Sequence, residues 1–253
     1  MLSKLIHKYS LLSLILIISG CYLSKPEPGN NKSRDESAFE DYSAAVFLNE
    51  DKKFGDALDK INSAINKNDK IAKLFLLKAE RLENSGKKIE ALDAYKQVLK
   101  VQIYNPGVYE KMGELLASMG QYHSAIQNIK KAYAQKPRDT RLLVIAAKYY
   151  VMLKLYDRAD SYLTTYESQT APGDYTSDYY CIKAKVYFHD GKYDEVIDAL
   201  DKCRTSKPLT TEYNKLYLNA LLDSGKYDAL YQYLAGLSPG VLTKDSSPRR
   251  WSD

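Results

Sequence analysis

The chain repeats itself. The segments GKKIEALDAYKQVL (86–99), GQYHSAIQNIKKAY (120–133), GKYDEVIDALDKCR (191–204) and GKYDALYQYLAGLS (225–238) are versions of one pattern, opening on Gly86, Gly120, Gly191 and Gly225. The first pair and the last pair of glycines are each 34 residues apart, and the middle gap of 71 is two such periods plus three. A fixed period of this length belongs to a chain that stacks like units in a row and does not close one central core. Each block follows a stretch with apolar residues at helical spacing, and runs on into another. The glycine ends the first helix in a left-handed turn that costs other residues more. The unit is therefore helix–turn–helix.

Within the period, particular residue types return at particular places. Counting from Pro106, the third unit has Tyr109, Gly113, Leu116, Gly120, Tyr122, Ala125, Ile129, Ala132 and Pro137. The second, from Ala72, has Phe75, Ala79, Leu82, Gly86, Ala91, Tyr95 and Val98; the fourth, from Thr140, has Leu143, Ala147, Tyr150, Tyr156, Ala159 and Leu163. After an insertion around Asp174, the fifth starts near Ser177 with Tyr180, Ala184, Tyr187, Gly191, Tyr193, Leu200 and Pro208. This resembles the tetratricopeptide repeat family: a large residue at position 4, small ones at 8, 20 and 27, and apolar or aromatic ones at 11, 17 and 24. The outer units fit less well. The first, from Ala38, has Asp41 at the large position, and the sixth, from Thr211, has Leu218 at a small one. End units of an array lack a neighbour on one side and are commonly atypical. The resemblance implies an all-α fold, an α-solenoid of about six helix-turn-helix repeats forming a right-handed superhelix. The units are 38–71, 72–105, 106–139, 140–173, 177–210 and 211–236. Small residues let the paired helices approach, large ones fill the grooves, and stability comes from stacking.

The first twenty residues carry an address. Lys4, His7 and Lys8 precede the apolar run LLSLILII (11–18), then Ser19 and Gly20 lead to Cys21. A charged start, a short apolar run and small residues before a cut describe a secretory signal peptide. The run is far shorter than the roughly 20 residues of a spanning helix. Ile18-Ser19-Gly20-Cys21 looks like a bacterial lipobox, which implies a signal peptide over 1–20 and a diacylglycerol on the Cys21 sulfur, with the freed amino group open to acylation. Two or three chains make such an anchor effectively permanent. Tyr22, where an Asp would retain a lipoprotein in the inner membrane, points by analogy to the outer membrane and its periplasmic face. Residues 21–37 then form the lipidated cysteine and a Pro/Gly/Asn/Ser-rich tether too polar to fold alone. The last stretch, 237–253, has two prolines, no helical period and the only tryptophan, Trp251. It reads as an irregular tail, with Trp251 open to folding back over the last unit.

Little in the chain points to catalysis. Lys and Arg number 37 against 32 acids; without Lys4 and Lys8 the excess is 35 over 32. Without a basic run, that excess does not imply nucleic acid. His123 and His189 have no Cys or carboxylate at metal-ligand spacing, and no phosphate loop, HExxH or GxSxG occurs. The expected protein has no cofactor, no metal and no enzyme activity. Asp56 and Asp194 open second helices, where capping and the helix dipole account for an acid. Of the 23 tyrosines, eleven fall on packing positions: 95, 109, 122, 150, 156, 166, 180, 187, 193, 217 and 227. Cys181 faces the concave side in this register and Cys203 the core. Free thiols are the default expectation, and a disulfide in an oxidising compartment is the alternative.

In the family resembled here, positions 2, 5, 9 and 12 of the first helices line a concave groove. Carried over, these give Glu80, Glu83, Glu110 and Glu114, then Arg141, Val144, Lys148, Val151, Cys181, Lys185 and Phe188. The switch from acids to a basic and apolar strip fits an extended peptide or helix of a protein partner. The chaperone-binding carboxylate clamp is not evident, since its first-repeat Lys and Asn fall on Tyr42 and Val46. Six repeats behind a lipobox resemble, in architecture, pilotin lipoproteins of type IV pilus systems. The expected role is a membrane-tethered scaffold or assembly factor for an envelope complex. An accessory subunit holding a cell-wall hydrolase and a surface lipoprotein contacting another cell are the alternatives.

Overall fold

The computed structural model describes residues 33–236, apart from 52 and 207. The signal segment, Cys21 and the tail beyond 236 lie outside the described residues. Among the described residues twelve α-helices pair into six hairpins, with no strand. The hairpins are α1 (Arg34–Glu50) with α2 (Phe54–Lys67), α3 (Ala72–Asn84) with α4 (Lys88–Val101), and α5 (Pro106–Ser118) with α6 (Tyr122–Gln135). Then come α7 (Arg141–Met152) with α8 (Tyr156–Gln169), α9 (Ser177–His189) with α10 (Tyr193–Cys203), and α11 (Thr211–Asp223) with α12 (Tyr227–Gly236). Each hairpin packs on the next, so the solenoid expected from the period is the fold observed.

The turn inside each hairpin explains the glycines. Gly86, Gly120, Gly191 and Gly225 have φ of +78°, +75°, +71° and +73°. At the first, the Lys87 N–H donates to the Leu82 carbonyl at 2.8 Å and the Gly86 N–H to Glu83 at 2.9 Å. These bonds close the helix C-terminus in a Schellman motif. The fourth hairpin makes the same turn without glycine. Lys154, 34 residues after Gly120, has φ +58°, and Leu155 N–H donates to Tyr150 O at 2.9 Å. The hydrogen bonds and the period thus hold a lysine where a side chain is strained.

The close approach that small residues permit is visible at Gly113. A Cβ there would lie 2.8 Å from Cδ1 of Ile129 on the partner helix. Ala79, Ala147 and Ala184, the equivalents in other units, are fully buried, as are Ala91, Ala125 and Ala159 across from them. Large residues close the seams: Tyr95 is fully buried and its hydroxyl donates to Glu83 at 2.8 Å. Leu218, at the small position of the sixth unit, goes with the loosest hairpin, for α12 has no buried residue. Tyr227, expected to pack, is accordingly 64% exposed. No following unit is described that would cover it.

The first unit departs from the pattern for an electrostatic reason. Asp41, at the position reserved for a large residue, is buried between α1 and α2. It accepts from Lys67, from Ser63 at 2.6 Å and from Lys60 at 3.2 Å. The hydrogen bond from Lys67, then that from Ser63, hold its carboxyl down at about 2, against the opposing effect of burial. An ion-paired carboxylate therefore fills the place of an apolar side chain. The same helix starts at Arg34, inside the segment expected to be tether. Ser33 Oγ accepts from Glu36 N at 3.2 Å and Glu36 Oε2 accepts from Ser33 N at 3.0 Å. This reciprocal capping box starts the helix upstream of the repeat.

The insertion between the fourth and fifth units is a single 3₁₀ turn, Pro172–Asp174. Tyr166, Tyr175, Tyr179 and Tyr180 pack ring against ring behind it, with neighbouring centroids 4.6–6.1 Å apart. Beside them the buried Lys183 meets Asp160 at 2.7 Å and Glu167 at 3.0 Å. Burial works to lower its pKa, but the two carboxylates outweigh burial and hold the ammonium charged. Two further expectations are corrected. Cys181 and Cys203 form a disulfide with Cα atoms 5.4 Å apart. The helices of one unit cross so closely that a groove-side residue and a core residue come within bridging distance. Asp56 and Asp194 sit in the first turns of second helices, where the dipole favours an acid as expected, but neither makes the expected capping hydrogen bond, and Asp194 pairs with Lys226 of the next unit at 2.7 Å.

Three measurements test this account. Lys154→Gly relieves the left-handed lysine and is expected to raise stability by about 0.5–1 kcal/mol in thermal unfolding. Ala147→Leu or Ala184→Leu is expected to lower it by about 1–3 kcal/mol through overpacking; an unchanged midpoint would remove these alanines from the helix contact. Asp41 stabilises the fold above its unfolded value near 3.8, and that contribution fades as pH falls toward about 2. Asp41→Asn should therefore cost roughly 1–2 kcal/mol at neutral pH, with the gap to the wild type closing between pH 4 and 2.

A cleft across the first helices of repeats four to six

The first helices of the last three units touch one another, α7 against α9 and α9 against α11. Their shared surface carries a cleft of about 720 Å³, reaching from Glu114 on α5 to Tyr213 on α11. Thr176 caps α9 by accepting from Tyr179 N, and α9 thereby presents Cys181, Ile182 and Lys185 to the cleft. The Cys181–Cys203 bridge ties α9 to α10 at the same place, and both cysteines line the cleft. The loop Pro208–Leu209–Thr210 closes one side. A second cleft of about 600 Å³, lined by Val151, Lys154, Phe188 and Leu216 among others, shares Met152, Lys185 and Glu212 with the first. The two form one trough.

The residues expected to line a groove divide into three groups. Glu114, Arg141, Val144, Lys148 and Lys185 line the larger cleft, and Val151 and Phe188 the smaller. Val144 and Val151 do so from buried positions, as part of the wall and not as exposed contacts. Glu80, Glu83 and Glu110 lie outside the trough. Glu80 is exposed on α3, Glu83 is engaged by Tyr95, and Glu110 is held by both guanidinium nitrogens of Arg141.

The acidic half foreseen in the sequence is thus partly consumed by the fold. Glu114 pairs with Lys111 at 3.3 Å, and Glu110 binds the cation that leads the next unit's first helix. Arg141 also reaches Asp139 at 3.3 Å. One step on, Lys185 pairs with Glu212 at 2.6 Å and sits over the Tyr213 ring, 5.0 Å from its centroid. These contacts join successive units along the concave face. Lys148 stands apart: it is exposed, it lines the cleft, and among the described residues it has no ion pair or hydrogen bond. Burial and the nearby carboxylates Glu114 and Glu110 push the neighbouring Tyr149 phenol up to about 12, so it stays a neutral donor.

Among the described residues no three His, Cys, Asp or Glu side chains gather as a candidate metal-ligand group. His123 is exposed, and His189 stacks on Tyr156 with centroids 4.2 Å apart. Sequence reasoning missed the wall supplied by Ile145, Met152, Leu209 and Tyr213. Their signal, apolar residues on the flanks of α7, in the loop before α11 and in the first turn of α11, does not lie on the four groove positions.

The tetratricopeptide repeat family model matches residues 32–247. No curated protein matches the chain. Among solved structures, a tetratricopeptide repeat protein from Parabacteroides merdae ATCC 43184 is similar, with a TM-score of 0.64 at 16% identity over 81% of each chain. PilW, described as a widely conserved type IV pilus biogenesis factor, gives 0.62 at 15% identity over 82% of this chain and 95% of its own. YrrB, described as a repeat protein with an unusual peptide-binding site, gives 0.58 at 18% identity over 72% and 91%. At these identities the likeness establishes the fold. With the family model spanning most of its length and six stacked hairpins carrying the pattern, the chain belongs to the tetratricopeptide repeat family and is a protein-interaction scaffold.

Proposed function

We propose that the protein is an exported lipoprotein, anchored through Cys21 to the periplasmic face of the outer membrane, that serves as a non-enzymatic adaptor or assembly factor for an envelope complex. The observation that carries the reading is the trough over repeats four to six, preformed and walled by apolar side chains. A scaffold that holds a partner segment needs such a surface, and a lipid at Cys21 would keep it near the bilayer. The Cys181–Cys203 bridge supports export, because disulfides persist in oxidising compartments. The fold shared with the pilus biogenesis factor PilW supports a pilotin-like task. The peptide-binding site printed for YrrB supports a peptide segment as the thing held.

The test separates anchor from groove. Growth with an alkyne-tagged fatty acid is expected to label the wild type and leave Cys21→Ala unlabelled and lost from the membrane fraction. Labelling of Cys21→Ala would sink the lipid assignment. Cross-linking in intact cells is expected to join the tethered protein to a secretin, and Lys148→Glu to reduce that product severalfold. A cell-wall hydrolase in its place would redirect the adaptor to that enzyme, and an undiminished product would move the contact off the trough.

A further inference from the structure

Of the charged side chains that line the trough, two lack a partner among the described residues. Glu114 is held by Lys111, Glu212 by Lys185, and Arg141 by Glu110 and Asp139. Asp178, the remaining carboxylate of the wall, is engaged as well. Lys148 in the larger cleft and Lys154 in the smaller have no ionic or hydrogen-bonded partner among the described residues, and both are exposed. They lie six residues apart, on α7 and in the turn that ends it. The walls of the two clefts also carry apolar side chains, Val144, Ile145 and Met152 on α7 and Leu209, Phe188 and Leu216 on neighbouring elements, with the Lys185–Glu212 pair shared where the clefts meet. Unpaired cations beside apolar walls favour an occupant with the opposite charge and its own apolar side chains. The bridge between Cys181 and Cys203 and the Lys185–Glu212 pair fix the walls in advance, which lowers the ordering cost of binding.

We infer that the trough takes an acidic, apolar peptide segment of a partner protein, its carboxylates meeting Lys148 and Lys154 and its apolar side chains the apolar walls of the two clefts. This rests on the groove reading above and gives it a chemistry. Such a segment gains from burial at the walls and from two partly exposed ion pairs that salt weakens.

Three fluorescein-labelled peptides of Leu and Ala, differing only in Glu, Gln or Lys at the remaining positions, serve as probes in anisotropy titrations of the detergent-solubilised full chain. The Glu peptide is expected to bind about five- to tenfold tighter than the Gln peptide, the Lys peptide weakest, and added salt to narrow the gap. The double variant Lys148→Glu/Lys154→Glu, with its melting curve checked against the wild type, is expected to reverse the order. Equal binding of all three, tighter binding of the Lys peptide, or an unchanged order in the double variant overturns the inference. If none of the peptides binds while cross-linking to the cellular partner persists, the acidic-segment assignment falls and the scaffold reading stands. Loss of the partner in cells beside retained Glu-peptide binding would break the pilotin-like role and leave the trough chemistry intact.

Discussion

How closely two helices of one hairpin can approach governs everything built on them. At Gly113 a single added carbon would stand 2.8 Å from Ile129. A separation that small makes the pair of helices thin enough to stack as a plate, with one apolar face offered to the unit before and one to the unit after. Neither face can be satisfied within the unit, so the array is stable only as a row. Where the small residue is missing, at Leu218, the second helix buries no side chain fully and only Leu230 and Tyr233 partly against the core. Where the large residue is missing, at Asp41, three donors from the partner helix take over the work of an apolar contact. The two exceptions sit in the first and last of the described units.

The repeat itself was legible because a period is a redundant signal. Glycine at four of the turns places the fifth by counting, even though Lys154 occupies it, since the hydrogen-bonded turn and not the residue is what recurs. The capping box Ser33–Glu36 was equally visible as S-x-x-E, but it lies before the first period and was absorbed into the polar tether. The Asp41 cluster was not readable in the same way. Lys60, Ser63 and Lys67 are ordinary helix residues until the crossing of α1 and α2 brings them to one carboxylate.

Of the trough, the sequence conveyed the direction of side chains on each first helix and not their company. Glu110 and Glu114 were read as an acidic strip, whereas the step from one unit to the next hands Glu110 to Arg141 and leaves Glu114 to Lys111. Pairing between units depends on how far one helix is rotated and shifted against the next, and a single-unit pattern carries no record of that. The disulfide shows the same limit. Facing direction separates Cys181 from Cys203, but the close crossing within the unit brings their Cα atoms to 5.4 Å.

The trough also falls where the period breaks. Between α7 and α9 the chain inserts the turn Pro172–Asp174, and four tyrosines fill the space beside it. Those same two helices supply the two longest stretches of the larger cleft's wall. An array with strict spacing repeats its backbone at every step and varies along the concave face only through its side chains. A single irregular step, braced by the tyrosines and by Lys183 between Asp160 and Glu167, makes one place along the concave face unlike the rest. Here Thr176 just after the insertion, the Cys181–Cys203 disulfide and the unpaired Lys148 line one cleft.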